Sequence, residues 1–354
     1  MDRLFFLDHS PIDFYFKQSP STFVVEEVLL YPFSNDGEHL VLKVRKKNLT
    51  TWQMLKAFSE QLGVKMKEIG YAGLKDKNAL AYQYISINKK FEKKLENFSN
   101  ENIKILETFR HKNKLRIGHL KGNSFFIRLK KVDPIGAKKI ENVLEIIKKE
   151  GFPNYFGYQR FGIDGKNYLL GKEIIKKKIN KKEKFLINSY QSHLFNLWLS
   201  KRVEISKFVK SFNKDELKNL LNLSGAYIDE LKAQKQFFKL LRGDIACHYP
   251  FGKFFAVLDL IDESKRFIKR EIAPTGLLPG IKVQRSNDIA RDIEKDFDDQ
   301  DLKISGDRRF AWVFLKDLEI EYKEEKAWME LKFFLPKGSY ATVLLEEIAH
   351  KSLS

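Results

Sequence analysis

The chain has little cysteine and no long hydrophobic run; its single cysteine is Cys247. One cysteine excludes an intramolecular disulfide and any metal site built from several thiolates. No segment approaches the roughly 20 consecutive apolar residues of a membrane helix. The N-terminal patch in MDRLFFLDHS is interrupted by Asp8 and is too short for the core of a signal peptide. These absences predict a soluble protein of the cytoplasm.

The usual signatures of metal and cofactor enzymes are also missing. The seven histidines are scattered, without the spacing of a zinc site, and His39 is interpreted as structural. There is no Walker-type phosphate loop, no dinucleotide-binding glycine motif and no nucleophile elbow around a serine. No glycine-rich loop of a methyltransferase follows an early strand. We therefore expect no metal and no cofactor, so any chemistry must come from carboxylate, amine and aromatic groups.

Positive charge, in contrast, is abundant. The 65 Lys and Arg exceed the 47 Asp and Glu, which gives a net charge of +18 at pH 7. This excess favours a polyanionic partner, most often nucleic acid. Compositional drift in an AT-rich genome explains lysine in place of arginine better than it explains a large net charge. Acidic lipid is a weaker alternative, because no strongly amphipathic basic helix stands apart from the fold.

Polarity patterns predict an α+β protein. At 354 residues the chain is expected to form about two domains. Residues 14–47 alternate as strands do, and residues 328–335 predict a further strand near the C-terminus. A helix is expected to begin near Thr50, which has capping-box spacing with Gln53, and to end at Gly63.

The segment GYAGLKDKNALAYQYIS, residues 70–86, carries one carboxylate between two lysines. We predict that Asp76 lies on a short loop between a helix and a strand, with Lys75 and Lys77 on either side. Nearby positive charge favours the ionised carboxylate, and loops on a rigid scaffold often carry reactive groups. Gly, Asp and Lys are also ordinary turn residues, so a solvated turn is the alternative interpretation.

The segment 110–131 contains eight Lys or Arg and no acidic residue. Basic residues interleaved with aromatic ones suit phosphate contacts and base stacking. A solvated pair of strands would be compatible with the same charges. We favour an RNA-facing surface, and its predicted contact residues are Arg110, Lys112, Lys114, Arg116 and Lys121.

The segment PNYFGYQRFG, residues 153–162, is rich in aromatic and amide side chains and is poor material for a helix or strand. Such a loop is equipped to hold an unstacked base through ring stacking and hydrogen bonds to the base edge. A packed aromatic turn is an equally good interpretation of the residues alone.

Seven stretches together resemble the TruD family of tRNA pseudouridine synthases. They occur in the family's order and span almost the whole chain, so the series is far more specific than any one motif. The matching stretches are SPSTFVVEE at 19–27, GEH at 37–39, GYAGLKDKNA at 70–79, RHKNKLRIGHLKGNSF at 110–125, PNYFGYQRFG at 153–162, PTG at 274–276 and LPKGSYAT at 335–342.

The resemblance implies roles for individual residues. Asp76 matches the catalytic aspartate of the family, which acts as nucleophile, and Lys17 is expected to form an ion pair with it. Phe156 matches the aromatic residue placed to stack on the target uracil. The other positions associated with substrate binding are Phe23, Asn154 and Tyr340.

Two residues depart from the family's pattern. Thr22 replaces the usual Asp before Phe23, a change that is expected to alter only a turn. Tyr340 stands where Phe is common, and its additional hydroxyl must find a partner if it is buried.

The implied reaction converts uridine to pseudouridine, which breaks the N-glycosidic bond, turns the uracil and rejoins it through carbon-5. No redox step or group transfer occurs, so neither a cofactor nor a metal is required. The expected substrate is the uridine at position 13, in the D-arm of certain tRNAs. The resemblance leaves open whether Asp76 attacks the base or the sugar. The enzyme is expected to be a monomer without a protein partner.

The implied fold is α+β, with a pseudouridine-synthase-type catalytic domain built on a mixed, mostly antiparallel sheet. A family-specific α+β (TRUD) domain is inserted into it. The expected boundaries are 1–179 for the first part of the catalytic domain, 180–313 for the insert and 314–354 for the remainder. A lysine-rich stretch at 171–184 supports the first boundary.

Two other function classes are compatible with the basic charge. A non-catalytic RNA-binding or RNA-chaperone protein could keep the same fold. A metal-dependent nuclease would require clustered carboxylates, which the sequence does not suggest.

Overall fold

The computed structural model describes residues 3–162, 164–175 and 183–353. The strands in this part of the chain are β1 (Phe23–Leu29), β2 (His39–Lys47), β3 (Gly70–Tyr71), β4 (Leu80–Asn88), β5 (Ile103–His111), β6 (Leu120–Lys130), β7 (Phe152–Pro153), β8 (Ile245–His248), β9 (Phe254–Ala256), β10 (Ile272–Leu278), β11 (Asp307–Phe310), β12 (Trp312–Val313), β13 (Lys316–Lys323) and β14 (Trp328–Pro336).

The helices follow the same numbering in chain order. The α-helices are α1 (Thr51–Leu62), α2 (Pro134–Glu150), α3 (Asn167–Ile174), α4 (Glu183–Ser211), α5 (Lys214–Leu221), α6 (Gly225–Ala233), α7 (Leu260–Ile268), α8 (Asp288–Glu294) and α9 (Ala341–Ala349). Short 3-10 helices are formed by Met66–Glu68, Lys89–Asn97, Tyr158–Phe161, Lys295–Phe297 and Glu324–Lys326. Among the described residues, no helix has the length and apolar character needed to cross a membrane.

The chain divides into two compact units, and both are discontinuous in sequence. The sheet unit consists of Ile12–Val143 and Leu315–Gly338. The helical unit consists of Met1–Pro11, Leu144–Phe314 and Ser339–Ser354.

The predicted domain boundaries differ from these units. The predicted insert at 180–313 falls in the helical unit, which also takes in residues before and after it. One reason is that β7 pairs with β12, which ties the segment after α2 to the end of the predicted insert. The boundary expected between 179 and 180 lies outside the described residues. The assignment of domains stays a prediction.

The sheet unit is built on eight strands in the order β13-β14-β6-β1-β4-β2-β5, with β3 paired to β4. The β1–β4 pair is parallel, and the other neighbours are antiparallel. This arrangement confirms the predicted mixed, mostly antiparallel sheet.

Helix α1 packs against this sheet and has the predicted ends. The Thr50 hydroxyl accepts a hydrogen bond from the Gln53 N–H, and the Gln53 side chain accepts one from the Thr50 N–H. Gly63 closes the helix with a φ of 70°, a left-handed conformation that glycine adopts without strain. The apolar face of α1 shares a core with β2 and β4, through residues that include Met54, Leu55, Phe58, Leu42, Val44 and Ile85.

The helical unit contains an antiparallel sheet in the order β11-β10-β8-β9 and the separate β12–β7 pair. The long helix α4 lies against β10, where Gly276 closely approaches the Trp198 ring. Trp312 opposes Pro153 in the β12–β7 pair. This pairing places the segment that follows Pro153, which carries Asn154 and Phe156, beside the end of β11.

Candidate active site

Asp76 lies in the loop that joins β3 to β4 in the sheet unit. The predicted loop is present, but a two-residue strand, Gly70–Tyr71, rather than a helix directly precedes it. Gly70 allows a close approach at this point, because a Cβ atom there would lie 2.3 Å from the Ser86 Oγ and 2.5 Å from the Leu115 carbonyl oxygen. The loop therefore starts from a backbone held tightly against β4.

Lys46, on β2, is the cation most closely associated with this loop. Its side chain is fully buried, and its Nζ donates hydrogen bonds to the Asp76 carbonyl at 2.9 Å and the Leu49 carbonyl at 2.6 Å. Burial lowers the pKa of the Lys46 ammonium to about 8, although the Asp76 carboxylate opposes this shift. Lys46 thus fixes the backbone of Asp76 and supplies positive charge near its side chain.

The Asp76 residue is exposed to solvent, yet the surrounding protein still restricts the hydration of its carboxyl. This desolvation raises the pKa of Asp76 above its ordinary value, and the charges of Lys46 and Lys75 oppose the rise. A poorly hydrated carboxylate close to a cation, on a residue that is exposed as a whole, is suited to nucleophilic attack.

Among the residues that the structure describes, neither of the two lysines beside Asp76 in sequence forms an ion pair with its carboxylate. The Lys75 Nζ lies 2.6 Å from Glu27 Oε1, in an ion pair whose side chains are almost completely buried. The second Glu27 oxygen accepts the Tyr84 N–H at 2.8 Å, and the Lys75 N–H donates to the Thr51 hydroxyl at 2.9 Å. Burial raises the pKa of Glu27, and the Lys75 ammonium opposes that shift. Lys75 therefore anchors the loop.

Lys17, which precedes β1, lies at the same end of the sheet as Asp76, which precedes β4, because these two strands are parallel neighbours. It lines a cavity of about 130 Å³ with residues that include Arg128 and Lys130. The cations that act on the Asp76 carboxyl are Lys46 and Lys75, and no ion pair between Lys17 and Asp76 is formed in the described part of the chain. Lys17 precedes β1 beside the Tyr15–Lys130 bridge, so its backbone is held near β6. Its role in the reaction stays a prediction.

The residues that follow Lys17 form a compact turn. The Thr22 hydroxyl donates to the Lys17 carbonyl at 2.6 Å, which is how this chain closes the turn without the usual aspartate. Phe23 is 3% exposed, and its ring packs against Phe16 and Phe125. A substrate contact of Phe23 therefore involves at most a small part of its ring.

In the helical unit, the structure brings together Asn154, Phe156 and Tyr340. Phe156 is 7% exposed, and its ring centroid lies 6.1 Å from that of Tyr340. Asn196 on α4 holds the Phe156 backbone, because its side chain accepts the Phe156 N–H at 2.8 Å and donates to the Phe156 carbonyl at 3.0 Å. The loop is thus fixed in one conformation.

Arg309 on β11 completes this group and was missed by the sequence analysis. Its guanidinium lies 3.9 Å from the centroid of the Phe156 ring. It donates to the Asn154 carbonyl at 3.0 Å and to the Asn154 side-chain oxygen at 2.9 Å. Burial lowers the pKa of Arg309 to about 10. No carboxylate pairs with it among the residues that the structure describes, so its printed partners are the carbonyl and amide oxygens of Asn154 and Tyr155.

Two of the predicted RNA-contact residues are partly neutralised. Arg110 lies 3.3 Å from Glu92, and Lys112 lies 3.3 Å from Asp36. Both carboxylates come from other segments of the sheet unit. The segment 110–131 therefore carries less uncompensated positive charge in the fold than its sequence alone indicates.

The other predicted RNA-contact residues differ from these. The Lys114 Nζ donates to the Lys67 carbonyl at 2.6 Å. Within the described ranges, the Arg116 and Lys121 side chains have no ion pair. These two are the freest positive charges of the predicted set.

No group of three or more His, Cys, Asp or Glu in the described residues has the arrangement of a metal site.

Comparisons with known proteins agree on one family. The family model described as tRNA pseudouridine synthase D (TruD) matches residues 2–182 and 226–348 of this chain. The tRNA pseudouridine synthase D of a Nitratiruptor species is 65% identical over 357 residues, which cover 100% of this chain and 99% of that protein. The protein of the same name from Wolinella succinogenes is 52% identical over 360 residues, with 100% and 99% coverage.

A solved structure shows the same fold. It is a protein from Methanosarcina mazei assigned as tRNA pseudouridine synthase D (TruD). The two chains superpose with a TM-score of 0.65, over 99% of this chain and 96% of the other, at 21% sequence identity.

Proposed function

The chain belongs to the tRNA pseudouridine synthase D (TruD) family and is an RNA-modifying isomerase, and from this we propose that it acts on uridine 13 in the D-arm of certain tRNAs. Asp76 is the nucleophile in this proposal, and no cofactor takes part. The observation that supports it most directly is the exposed residue Asp76, held by a loop whose backbone is bound to the buried Lys46 ammonium.

The proposed reaction begins with ionised Asp76. Its carboxylate attacks the sugar or the base, the bond between N1 of uracil and C1′ of ribose breaks, and the uracil turns. C5 then bonds to C1′; the aspartyl bond breaks in this same step if the sugar was attacked, or in a later elimination if the base was attacked. A base removes the C5 proton, N1 takes up a proton, and the Asp76 carboxylate is free again. Atoms and charge balance without an oxidant, a reductant or a second substrate.

Lys46 and Lys75 have different parts in this proposal. Lys46 stabilises the ionised Asp76 through its charge, since a nearby cation favours the carboxylate form. Lys75 keeps the loop in place through its buried pair with Glu27. Lys17, by the family resemblance, remains a proposed partner of the reaction without a contact to Asp76.

Asn154, Phe156, Arg309 and Tyr340 of the helical unit form a group that is suited to bind a base that has left its stack. A flipped base needs an aromatic surface and hydrogen bonds to its edge. Phe156 provides part of a ring, while Asn154 and Arg309 provide polar groups that are already positioned by the protein. We assign these three residues and Tyr340 to binding of the target nucleotide.

The test is site-resolved mapping of pseudouridine in tRNA treated with purified protein. The wild-type chain should modify position 13, and Asp76→Asn should lower the rate by at least about 10⁴-fold because the amide is not a nucleophile. Asp262→Asn, which removes an exposed carboxylate from α7, should retain full activity.

Three results would contradict parts of the proposal. Substantial activity of Asp76→Asn would exclude the nucleophile assignment. Modification at another position alone would exclude the D-arm site. Loss of activity after EDTA treatment and dialysis, with recovery on addition of a metal ion, would exclude a reaction without cofactors.

A further inference from the structure

A second cavity in the sheet unit contains none of the residues assigned to the chemical step, although Lys114 and Arg116 belong to the predicted RNA-contact set. Its volume is about 530 Å³, which is within the usual range for small-molecule sites. Its principal lining residues are Tyr31, His111, Asn113, Lys114, Arg116 and His119. The wall is therefore aromatic and basic at once, and no carboxylate contributes to it.

The aromatic part of the cavity is held in place. The Tyr31 and His111 rings are stacked, with centroids 5.4 Å apart and planes 22° apart. The Tyr31 hydroxyl lies 2.6 Å from Nδ1 of His119, and the Ser34 N–H donates to Nδ1 of His111 at 3.2 Å. These bonds immobilise the rings, so a planar ligand would meet a rigid surface at little entropic cost.

The basic part of the cavity has unused binding capacity. Arg116 is exposed and has no ion pair within residues 3–162, 164–175 and 183–353. Its charge is close enough to Tyr31 to act on it, because burial raises the pKa of the Tyr31 phenol and Arg116 opposes that shift. Arginine is well suited to bind the oxygens of a phosphate with two parallel hydrogen bonds.

The cavity is connected to the loop of Asp76 through the backbone. The Gly118 N–H donates to the Ala72 carbonyl at 2.9 Å, and the Leu115 N–H donates to the Ser86 hydroxyl at 2.9 Å. Asp76 is four positions after Ala72, so their Cα atoms lie at most about 14 Å apart. An RNA bound at Asp76 would therefore have other nucleotides close to this cavity.

We propose that this cavity binds one nucleotide of the tRNA other than the target uridine, with its base against Tyr31 and His111 and its phosphate at Arg116 and Lys114. The combination of rings and unpaired positive charge matches single-stranded RNA, in which unstacked bases pair with aromatic side chains. The inference deepens the proposed function, since it assumes that tRNA is the bound substrate. It follows that the enzyme binds two unstacked nucleotides of the tRNA, the target uridine and the nucleotide in this cavity.

The first experiment measures the dissociation constant of unmodified substrate tRNA at a fixed salt concentration, together with KM and kcat. Loss of one base stack corresponds to roughly a 5- to 150-fold weaker affinity. We expect Tyr31→Ala and Arg116→Ala each to weaken binding by at least about tenfold and to raise KM by a similar factor. The value of kcat at saturating tRNA should remain within about threefold of wild type, because the lost contact does not touch the reacting atoms.

Matched variants distinguish a specific effect of the cavity on tRNA binding from a general effect of positive charge and from misfolding. Tyr31→Phe keeps the ring and should bind tRNA within about threefold of wild type. Lys138→Ala removes the same charge from α2, but Lys138 is exposed, is paired with Glu141 and does not line the cavity, so its effect should also stay within about threefold. Equal effects of Arg116→Ala and Lys138→Ala, or of Tyr31→Ala and Tyr31→Phe, would overturn the proposal.

A second measurement uses the unmodified chain and the ring resonances of its histidines. Substrate tRNA and 5′-UMP should both shift the His111 and His119 signals, whereas inorganic phosphate at equal concentration should shift them less. An equal response to phosphate, or a response to 5′-UMP but not to tRNA, would exclude an RNA nucleotide as the ligand. Because affinity and ring shifts need no turnover, these outcomes are independent of whether Asp76 is the nucleophile.

Discussion

At the scale of single residues, Lys46 decides the electrostatics of Asp76. It is a lysine with no exposed surface, bonded to two backbone carbonyls and close to one carboxylate. Burial disfavours its charge, and Asp76 favours it. Each group therefore makes the ionised form of the other more favourable, in a place where both would otherwise tend to be neutral.

The pH dependence of the reaction should report on this pair. Activity should rise with pH as Asp76 loses its proton, with a midpoint above the ordinary aspartate range because desolvation raises its pKa. In Lys46→Met the acid limb should move to higher pH, because the cation that lowers the pKa of Asp76 is gone.

The measurement is the pH profile of kcat/KM, whose shape does not depend on the fraction of active protein. Below the midpoint, each unit of increase in the pKa of Asp76 lowers the rate roughly tenfold. Lys47→Met removes the next lysine, which is exposed at the end of β2, and should keep the wild-type profile. An unchanged profile in Lys46→Met would show that Lys46 does not act on Asp76.

At the scale of elements, strand β11 positions the aromatic loop. Arg309 projects from β11 to the backbone and side chain of Asn154 and to the face of Phe156. The β12–β7 pair brings this loop to β11, and Asn196 on α4 holds it from another element. The loop thus has a fixed conformation, although its own sequence has no regular secondary-structure pattern.

Replacement of Arg309 should lower activity without unfolding the chain. Arg309→Lys keeps the charge but loses the planar group that contacts both Asn154 and Phe156, so we expect kcat/KM to fall roughly 10- to 100-fold through misplacement of the loop. Arg266→Lys is a matched control, because Arg266 also lies over an aromatic ring, that of Phe255, in an unrelated part of the helical unit. Its activity should equal that of wild type. Wild-type activity of Arg309→Lys would remove Arg309 from the site.

At the scale of the whole molecule, each compact unit is assembled from distant parts of the chain. The helical unit includes both chain ends, and Phe6 is a principal contact of the N-terminal segment. The Phe6 ring packs edge-on against Trp312 at 5.3 Å and Phe237 at 5.4 Å, and its N–H donates to Glu347 at 3.3 Å. Burial raises the pKa of the Glu347 carboxyl to about 8.

Loss of the Phe6 ring should therefore destabilise the helical unit. Phe6 is 2% exposed, and truncation of a buried Phe to Ala costs about 3–5 kcal/mol of unfolding free energy. Denaturant unfolding followed by tryptophan fluorescence measures this change, because Trp312 contacts the deleted ring. Leu4→Ala, at a position 38% exposed, should cost less than about 1 kcal/mol. Equal stabilities of the two variants would mean that the N-terminal segment does not support the unit.

The sequence alone predicted the features that depend on neighbours along the chain. The capping box of Thr50 and Gln53 and the stop at Gly63 were confirmed, because these bonds join residues at most four positions apart. The alternating segments predicted strands, and the ordered motifs predicted the family, which the comparisons confirm. Asp76 was singled out for the same reason, since its motif is contiguous.

Only the tertiary structure decided which charges meet. Lys75 binds Glu27 instead of Asp76 because β1 and β4 are parallel neighbours, which places Glu27 beside Tyr84 and the loop that precedes β4. The position of Lys46 depends on the β2–β4 pairing, and that of Arg309 on a strand about 150 residues beyond the loop it holds. No local sequence pattern predicts these contacts, because electrostatic interactions depend on separation in space and not on separation along the chain.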